Sequence, residues 1–410
     1  MPTTTSHQEN RRKTLNIQMI QAVIEGLVYG FLIMSEVVLR RELHASKLLI
    51  TLFTMVMPVS SLFSIYFSHF ITKHPAKIRK YIVIVAVVTR LPLLLFPLWP
   101  TAHGMLIFAI VFYIGFSFIK PVQNLFMQAN YGTHELGKIF GYMTSLNKII
   151  FIISIYSFGQ MMDKDGSIYV TVFTVGAALA FISMIITAFI PFEKWSASKG
   201  QTRTFDPLII PTLIRVFKKS PLYFIYEIAF FTYGGGFMVI LAAIPILLVD
   251  YLHLSYSTIS TGRGFFTAIV IIFLTPLFGR WFDKSTPAFL GKIIFALLAG
   301  YPLSMITAYL VPEALAVPAV YMAFIFFGIA MSGVTIIWNM GPLYFVKDRG
   351  DSAELTSVHV TMTGLRGLVM PPLGFLLMQI HILAPFIASV IFLFSGAAIM
   401  ALLDKKIRSV

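Results

Sequence analysis

Apolar runs of about 20 residues recur along this chain from near its start to near its end, and they leave little room for anything else. A helix rises 1.5 Å per residue, so about 20 apolar residues cross a hydrocarbon core of about 30 Å. Twelve such runs can be marked, at roughly 16–39, 48–71, 81–99, 104–130, 138–162, 168–191, 221–250, 256–282, 288–311, 315–346, 355–380 and 383–403. The outer connections at 163–167 and 312–314 are too short for a folded domain. Backbone polar groups in lipid must be satisfied within the spanning segment, so the expected class is an all-α membrane protein with twelve transmembrane helices.

Charge is scarce and unevenly placed. The chain is 58% hydrophobic and 12% charged, against about 25% charged in a soluble domain. A net charge of +14 raises nucleic acid as a partner. The bases sit in the gaps between apolar runs and not along a soluble face, which excludes it. With both termini inside, inner segments hold 22 Lys/Arg and outer segments hold 4. That excess predicts cytoplasmic termini. Arg11, Arg12 and Lys13 precede a first run too long for a signal-peptide core and without a small-residue cleavage site, so it reads as a retained span. No cysteine is present, hence no disulfide and no thiolate metal site, in keeping with a bacterial inner (plasma) membrane protein.

The chain divides at one polar stretch, Phe192–Ser220, with six bases: Lys194, Lys199, Arg203, Arg215, Lys218 and Lys219. It reads as a cytoplasmic linker, 192–220, between an N-terminal six-helix bundle, 1–191, and a C-terminal one, 221–410. Within it, Pro207–Arg215 is expected as a short surface helix, with Leu208, Ile209, Leu213 and Ile214 dipping into the interface. The halves echo each other. Gly115 and Tyr131 are spaced as Gly328 and Tyr344 are; Pro92 matches Pro302, and Glu25 matches Glu227. Two pseudo-symmetric six-helix bundles arranged as parallel repeats are one transporter architecture.

Local motifs point the same way. Gly279-Arg280-Trp281-Phe282-Asp283-Lys284 resembles the Gly-x-x-x-Asp-Arg/Lys signature of the major facilitator superfamily in its second-half copy. Tyr131 to Gly141 is similar to that family's Arg-Gly-x-x-x-Gly motif before span 5, with Leu136 in place of Arg. The first-half loop departs from the pattern, having Ser68 for the Gly and Thr72 for the Asp. Neither a proton-coupled drug-exporter motif nor a sugar-porter signature is evident, so the subfamily is not identified. Gly132-x-x-x-x-Gly137-Lys138 mimics a P-loop, but Ile139 stands where the magnesium-ligating hydroxyl belongs. Gly26-x-x-x-Gly30 reads as close helix packing.

Ionisable groups inside spans carry the functional reading: Glu25, Arg90, Lys120, Lys148, Glu227, Arg263 and Arg366. Each costs about 2.5–3.5 kcal/mol or more if it faces lipid at mid-depth, so each needs a partner or a watery cavity. By the resemblance, spans 1, 2, 4, 5, 7, 8, 10 and 11 line a central cavity, and all but Arg90 fall on them. Five bases against two acids favour an anionic or zwitterionic solute, carried by alternating access. The expected solute-binding set is Lys120, Gln123, Lys148, Tyr223, Tyr226, Glu227, Arg263, Asn339 and Arg366. Glu25 is the proton-coupling candidate, because a carboxylate beside a base can exchange its proton against a ligand. Structural ion pairs, Glu25–Lys120 or Glu25–Lys148, are the competing reading. His359 reads as a polar contact near the inner end of span 11, with a proton site as the alternative.

The resemblance also implies a cytoplasmic gate. Gly279, Arg280 and Asp283 would work against the start of span 5 at Lys138. The prolines in cavity spans and Gly234-Gly235-Gly236 are expected to be bends and a soft point. The partners are a small solute, protons or another coupling ion, and lipid, with the protein a monomer. No cofactor or metal is expected, since there is no metal-ligand His spacing, and no nucleophile–base motif points to an enzyme. The alternatives are proton-coupled efflux of hydrophobic or cationic compounds, with Glu25 and Glu227 reading the cation, and a transport-inactive sensor or scaffold.

Overall fold

The structure, a computed structural model, describes residues 4–131, 133–191, 209–346 and 352–409. No strand occurs among them. The first half contains α1 (Thr4–Leu32), α2 (Ser35–Arg41), α3 (Lys47–Ser61), α4 (Phe63–Lys73), α5 (Ile78–Thr89), α6 (Ala102–Asn130), α7 (Thr133–Lys164) and α8 (Tyr169–Thr187). After α9 (Ile209–Lys219) come α10 (Pro221–Val239), α11 (Ala243–Ile246), α12 (Tyr256–Ser260), α13 (Thr267–Phe282), α14 (Pro287–Leu298), α15 (Gly300–Leu310), α16 (Glu313–Tyr344), α17 (Ser352–Ile380) and α18 (Ala384–Arg408).

Eleven of the twelve expected runs form helical segments long and apolar enough to cross a membrane among the described residues. The remaining run, 48–71, is present as α3 and α4, which meet at Leu62. The third run is also composite. α5 gives way at Arg90 to a tight 3-10 stretch, Leu91–Leu98, which holds Pro92 and Pro97. Each proline lacks the amide an α-helix would use, and the tighter winding accommodates that loss. Large apolar side chains such as Leu98, Phe273 and Ile380 are more than two-thirds exposed. An apolar exterior of this extent suits lipid and not water.

Two compact units form: Met1–Leu43 with Ser60–Phe205, and His44–Val59 with Asp206–Val410. In the first unit α1 lies close against α7. A Cβ on Gly26 would stand 2.7 Å from the Asn147 carbonyl oxygen, and one on Gly30 would strike Ser154. The approach lets Asn147 donate to the Ala22 carbonyl at 3.0 Å and Ser154 to the Leu27 carbonyl at 2.8 Å. Gly26 and Gly30 are therefore a packing seam, as their spacing predicts.

In the second unit the glycine triplet of α10 differs from the expected soft point. α10 is continuous through it, and each glycine makes room for a neighbour. Arg366 occupies the space of a side chain at Gly234, Met370 packs on Gly235, and the Ser389 carbonyl and Phe392 press on Gly236. The same unit places Pro58 against Gly367 of α17. Near the C-terminal end of α18, buried Asp404 ties α18 to the start of α14. It accepts from the Thr286 hydroxyl at 2.7 Å, Lys292 at 2.9 Å and Arg408 at 3.2 Å. Thr286 also caps α14 by accepting from the Phe289 amide at 3.0 Å.

The surface helix expected at Pro207–Arg215 appears as α9, Ile209–Lys219; residues 192–208 lie outside the described residues.

Candidate functional site

Glu25 lies in the C-terminal third of α1, where the seam with α7 brings Asn147 alongside Ala22 and Gly26. On its other side stands α6. Gln123 donates its amide to Glu25 Oε1 at 2.8 Å, and Lys120 donates to Gln123 Oε1 at 3.1 Å. Lys120 Nζ also stands 3.5 Å from Glu25 Oε2. The three side chains close a loop of donor and acceptor in which the amide bridges base and acid. The ion pair is not sealed: its side chains are 40% and 28% exposed. An exposed pair contributes about 0.2–1 kcal/mol, so another anion or a proton can replace one member at small cost.

Lys148 follows Asn147 on α7 and therefore sits at the level of Glu25. It does not pair with Glu25. Among the described residues its ammonium makes no hydrogen bond or ion pair, and its one polar contact is the Phe151 ring, 5.1 Å to the centroid. Of the two structural pairs set out from the sequence, Glu25–Lys120 forms and Glu25–Lys148 does not.

A pocket adjoins this cluster inside the first unit, lined by Glu25, Tyr29, Arg90, Phe116, Gln123 and Thr187 among others. Arg90, at the break between α5 and the 3-10 stretch, is buried there. It donates to the Phe112 carbonyl at 2.6 Å and lies 4.0 Å from the Phe112 ring centroid. Gly115 permits this, because a Cβ there would meet Thr89 and Arg90. Gln21 donates to the carbonyl of Ser183 and the hydroxyl of Thr187, two residues of that lining.

The second unit treats its charges differently. Glu227 on α10 and His359 on α17 are fully buried, with His359 Nδ1 2.7 Å from Glu227 Oε1. Rings enclose the imidazole: Phe230 at 4.8 Å, Trp338 at 5.3 Å and Tyr226 at 6.3 Å between centroids. Neither Glu227 Oε2 nor His359 Nε2 has a hydrogen-bond partner among the described residues. Tyr223 donates to the Leu355 carbonyl and Tyr226 to the Ile337 carbonyl, each at 2.7 Å. Arg366, two turns along α17 from His359, donates to the Phe230 carbonyl and reaches the Thr363 hydroxyl at 3.4 Å. Its guanidinium carbon lies 5.7 Å from the Tyr233 ring centroid.

The expected solute-binding residues thus fall into two groups. Lys120, Gln123 and Lys148 surround Glu25 in the first unit. Tyr223, Tyr226, Glu227 and Arg366 are buried between α10 and its neighbours in the second. Arg263 and Asn339 join neither group. Arg263 is half-buried in a π-helical stretch, Thr261–Phe266, a winding that recurs at functional sites. Asn339 is exposed and bonds back to the Thr335 carbonyl of its own helix. His359, read from the sequence as a polar contact or a proton site, proves to be the partner of Glu227, a pairing the sequence does not name. It lies 132 residues from Glu227, and no local spacing announces the pair.

Of the gating residues, Gly279 lies inside α13 and Asp283 ends it; Asp283 and Arg280 are exposed. A Cβ on Gly279 would meet only Ile336, at 4.0 Å, and one on Gly141 would meet nothing. Packing in this structure thus gives neither position a reason to be glycine. Lys138 belongs to α7, but its side chain lies outside the described residues.

Comparison with known proteins follows the fold. The family model described as Major Facilitator Superfamily matches residues 18–352. No curated protein matches the chain in sequence. Among solved structures, a mutant of the nucleoside transporter NupG superposes with a TM-score of 0.71 at 12% identity, covering 98% of this chain and 99% of that one. The xylose transporter XylE from E. coli gives 0.65 at 12% identity, covering 94% and 95%. A bacterial homologue of the human lysosomal transporter Spinster gives 0.64 at 15%, covering 97% of each. Identities this low establish the shared fold alone.

Proposed function

The chain belongs to the Major Facilitator Superfamily, and from that premise we propose secondary active transport of a small anionic or zwitterionic solute, driven by protons through Glu25. The protein sits in the inner (plasma) membrane with both termini cytoplasmic, and its halves, 1–191 and 221–410, alternate access to the solute.

One observation carries the reading. A partly exposed carboxylate, Glu25, is held by Gln123 and Lys120, and a second base, Lys148 on the facing helix α7, has no ion pair among the described residues. A proton on Glu25 removes the charge that Lys120 faces. Lys120 and Lys148 then present two ammonium groups to an anionic solute, with the Gln123 amide to orient it. When the proton leaves, Glu25 reclaims Lys120 and the solute's hold weakens. Proton and anion therefore favour each other's binding, which is the linkage a symporter needs. Gly279, Arg280, Asp283 and Lys138 form the cytoplasmic gate.

The test uses the purified protein in liposomes. A thermal-shift screen first finds solutes that stabilise the folded state. Uptake is then measured with and without an imposed pH gradient, in wild type and Glu25→Gln. The proposal expects gradient-driven accumulation of an anionic or zwitterionic solute in wild type. In Glu25→Gln, exchange should persist while accumulation is lost. Proton-driven extrusion of cations would replace this reading with efflux, and absence of any flux would leave a sensor or scaffold.

A further inference from the structure

The second unit contains an acid–imidazole pair that the mechanism above does not use. We propose that Glu227 and His359 form a proton-binding dyad, with His359 Nε2 as the atom that takes and releases the proton.

The geometry dictates where the protons are. At 2.7 Å, Glu227 Oε1 and His359 Nδ1 cannot both present lone pairs, so one proton lies between them. That proton is structural, because removing it leaves two acceptors in contact. Nε2 is then the free position. It is buried, no described residue accepts from it or donates to it, and aromatic rings surround it. Without a second proton the pair is a carboxylate and a neutral imidazole, with net charge −1. With it the pair is a carboxylate and an imidazolium, or a carboxylic acid and an imidazole protonated at Nε2, with net charge zero. One proton is gained, no other bond changes, and the donor is water-derived hydronium.

The surroundings allow both states. From α17, Arg366 brings a positive charge, anchored on the Phe230 carbonyl one turn from Glu227 on α10. It balances the unprotonated pair. Once the pair is protonated, Arg366 still has that carbonyl, the Thr363 hydroxyl and the Tyr233 ring. The other titratable groups facing the pair are Tyr223, Tyr226 and Tyr233 of α10. The hydroxyls of the first two are committed to the Leu355 and Ile337 carbonyls. From α16 the facing group is the uncharged Trp338. Each protonation state therefore leaves at most one net charge among Glu227, His359 and Arg366. Because both members of the pair are sealed from solvent, proton exchange requires the α10–α17 interface to open. Proton occupancy and that opening must then bias each other.

This proposal rests on the second unit alone and stands or falls independently of solute, direction and Glu25. Its test is nuclear magnetic resonance of nitrogen-labelled histidine in the full chain in lipid nanodiscs, with the His359 signal assigned by its absence in His359→Gln. The expected result is that His359 Nε2 passes from unprotonated to protonated as pH is lowered over the range in which the protein stays folded. Nδ1 should remain hydrogen-bonded throughout. Glu227→Gln removes the carboxylate that shares the proton and should shrink the pH-dependent change at His359 Nε2 about tenfold, leaving the other histidines unchanged. An Nε2 whose state is constant across that range in wild type overturns the proposal without any variant being needed. So does a pH-dependent change at Nε2 that Glu227→Gln leaves unchanged.

Discussion

Lys148→Gln separates a base held for a ligand from a base held for the fold. Among the described residues Lys148 has one such interaction, with the Phe151 ring at 5.1 Å, worth about 0.5–2 kcal/mol between full exposure and full desolvation. Losing it is offset in part by no longer burying an unpaired ammonium. Net stability should change by less than about 1 kcal/mol. Binding is another matter. A hydrogen bond to a charged group contributes about 1.5–3 kcal/mol, so an anionic solute that uses Lys148 should bind about 10- to 150-fold more weakly to the variant. A neutral analogue of the same size should lose little. Arg366→Gln supplies the contrast, because Arg366 is buried and braces α17 to the Phe230 carbonyl of α10. Breaking that brace should cost about 3 kcal/mol or more. The assay pairs equilibrium binding of the anionic and neutral ligands with melting of each variant in detergent. Equal binding losses for both ligands in Lys148→Gln would refute a charge-reading role. A melting drop as large as that of Arg366→Gln would show that Lys148 is a structural cation.

Three further outcomes are expected. Gly30→Leu should abolish folded protein, because any side chain there strikes Ser154 across the α1–α7 seam; normal expression and gel-filtration profile would contradict that packing. Asp404→Ala should lower stability by about 1–3 kcal/mol in thermal melts, since Thr286 and Lys292 lose their acceptor together, and an unchanged melt would show that the cluster is idle. Asp283→Asn should raise the inward-open population in spin-label distance measurements on the cytoplasmic face; unchanged distances with unchanged transport would remove the gate role.

How much was legible follows the length scale of each signal. A span is written in 20 consecutive residues, so eleven of the twelve runs and their helices correspond; the breaks at Leu62 and Arg90 that make the second and third runs composite were not read. The α1–α7 seam was legible because Gly26 and Gly30 share one helix face at a spacing of four. Glu25 and Lys120 were legible as a pair only in kind, since charge in a span demands a partner without naming it. The choice of Lys120 over Lys148 was decided by Gln123, whose amide bridges acid and base from one turn along α6. The glycine triplet misled for a related reason. Glycine is ambiguous between freedom and close approach, and Arg366, which fills the space at Gly234, is 132 residues away. The partner of His359 escaped notice because a lone histidine carries no spacing and Glu227 is on a different helix.

The two acids that the repeat sets at matching places, Glu25 and Glu227, show why sequence symmetry does not carry over to function. Repeat geometry fixes the backbone position, but the neighbour supplied by the adjoining helix fixes the chemistry. On α6, Lys120 and Gln123 face Glu25 and leave it partly exposed, so the pair is weak and exchangeable. On α17, His359 faces Glu227 with the pair sealed by rings, where separating partners costs several kcal/mol. The first arrangement answers to solute and proton without disturbing the bundle. The second cannot exchange with solvent until α10 and α17 part. Under the proposed mechanism, an exchangeable acid in one unit and a sealed acid–imidazole pair in the other would therefore respond to different events, ligand arrival for Glu25 and helix separation for Glu227.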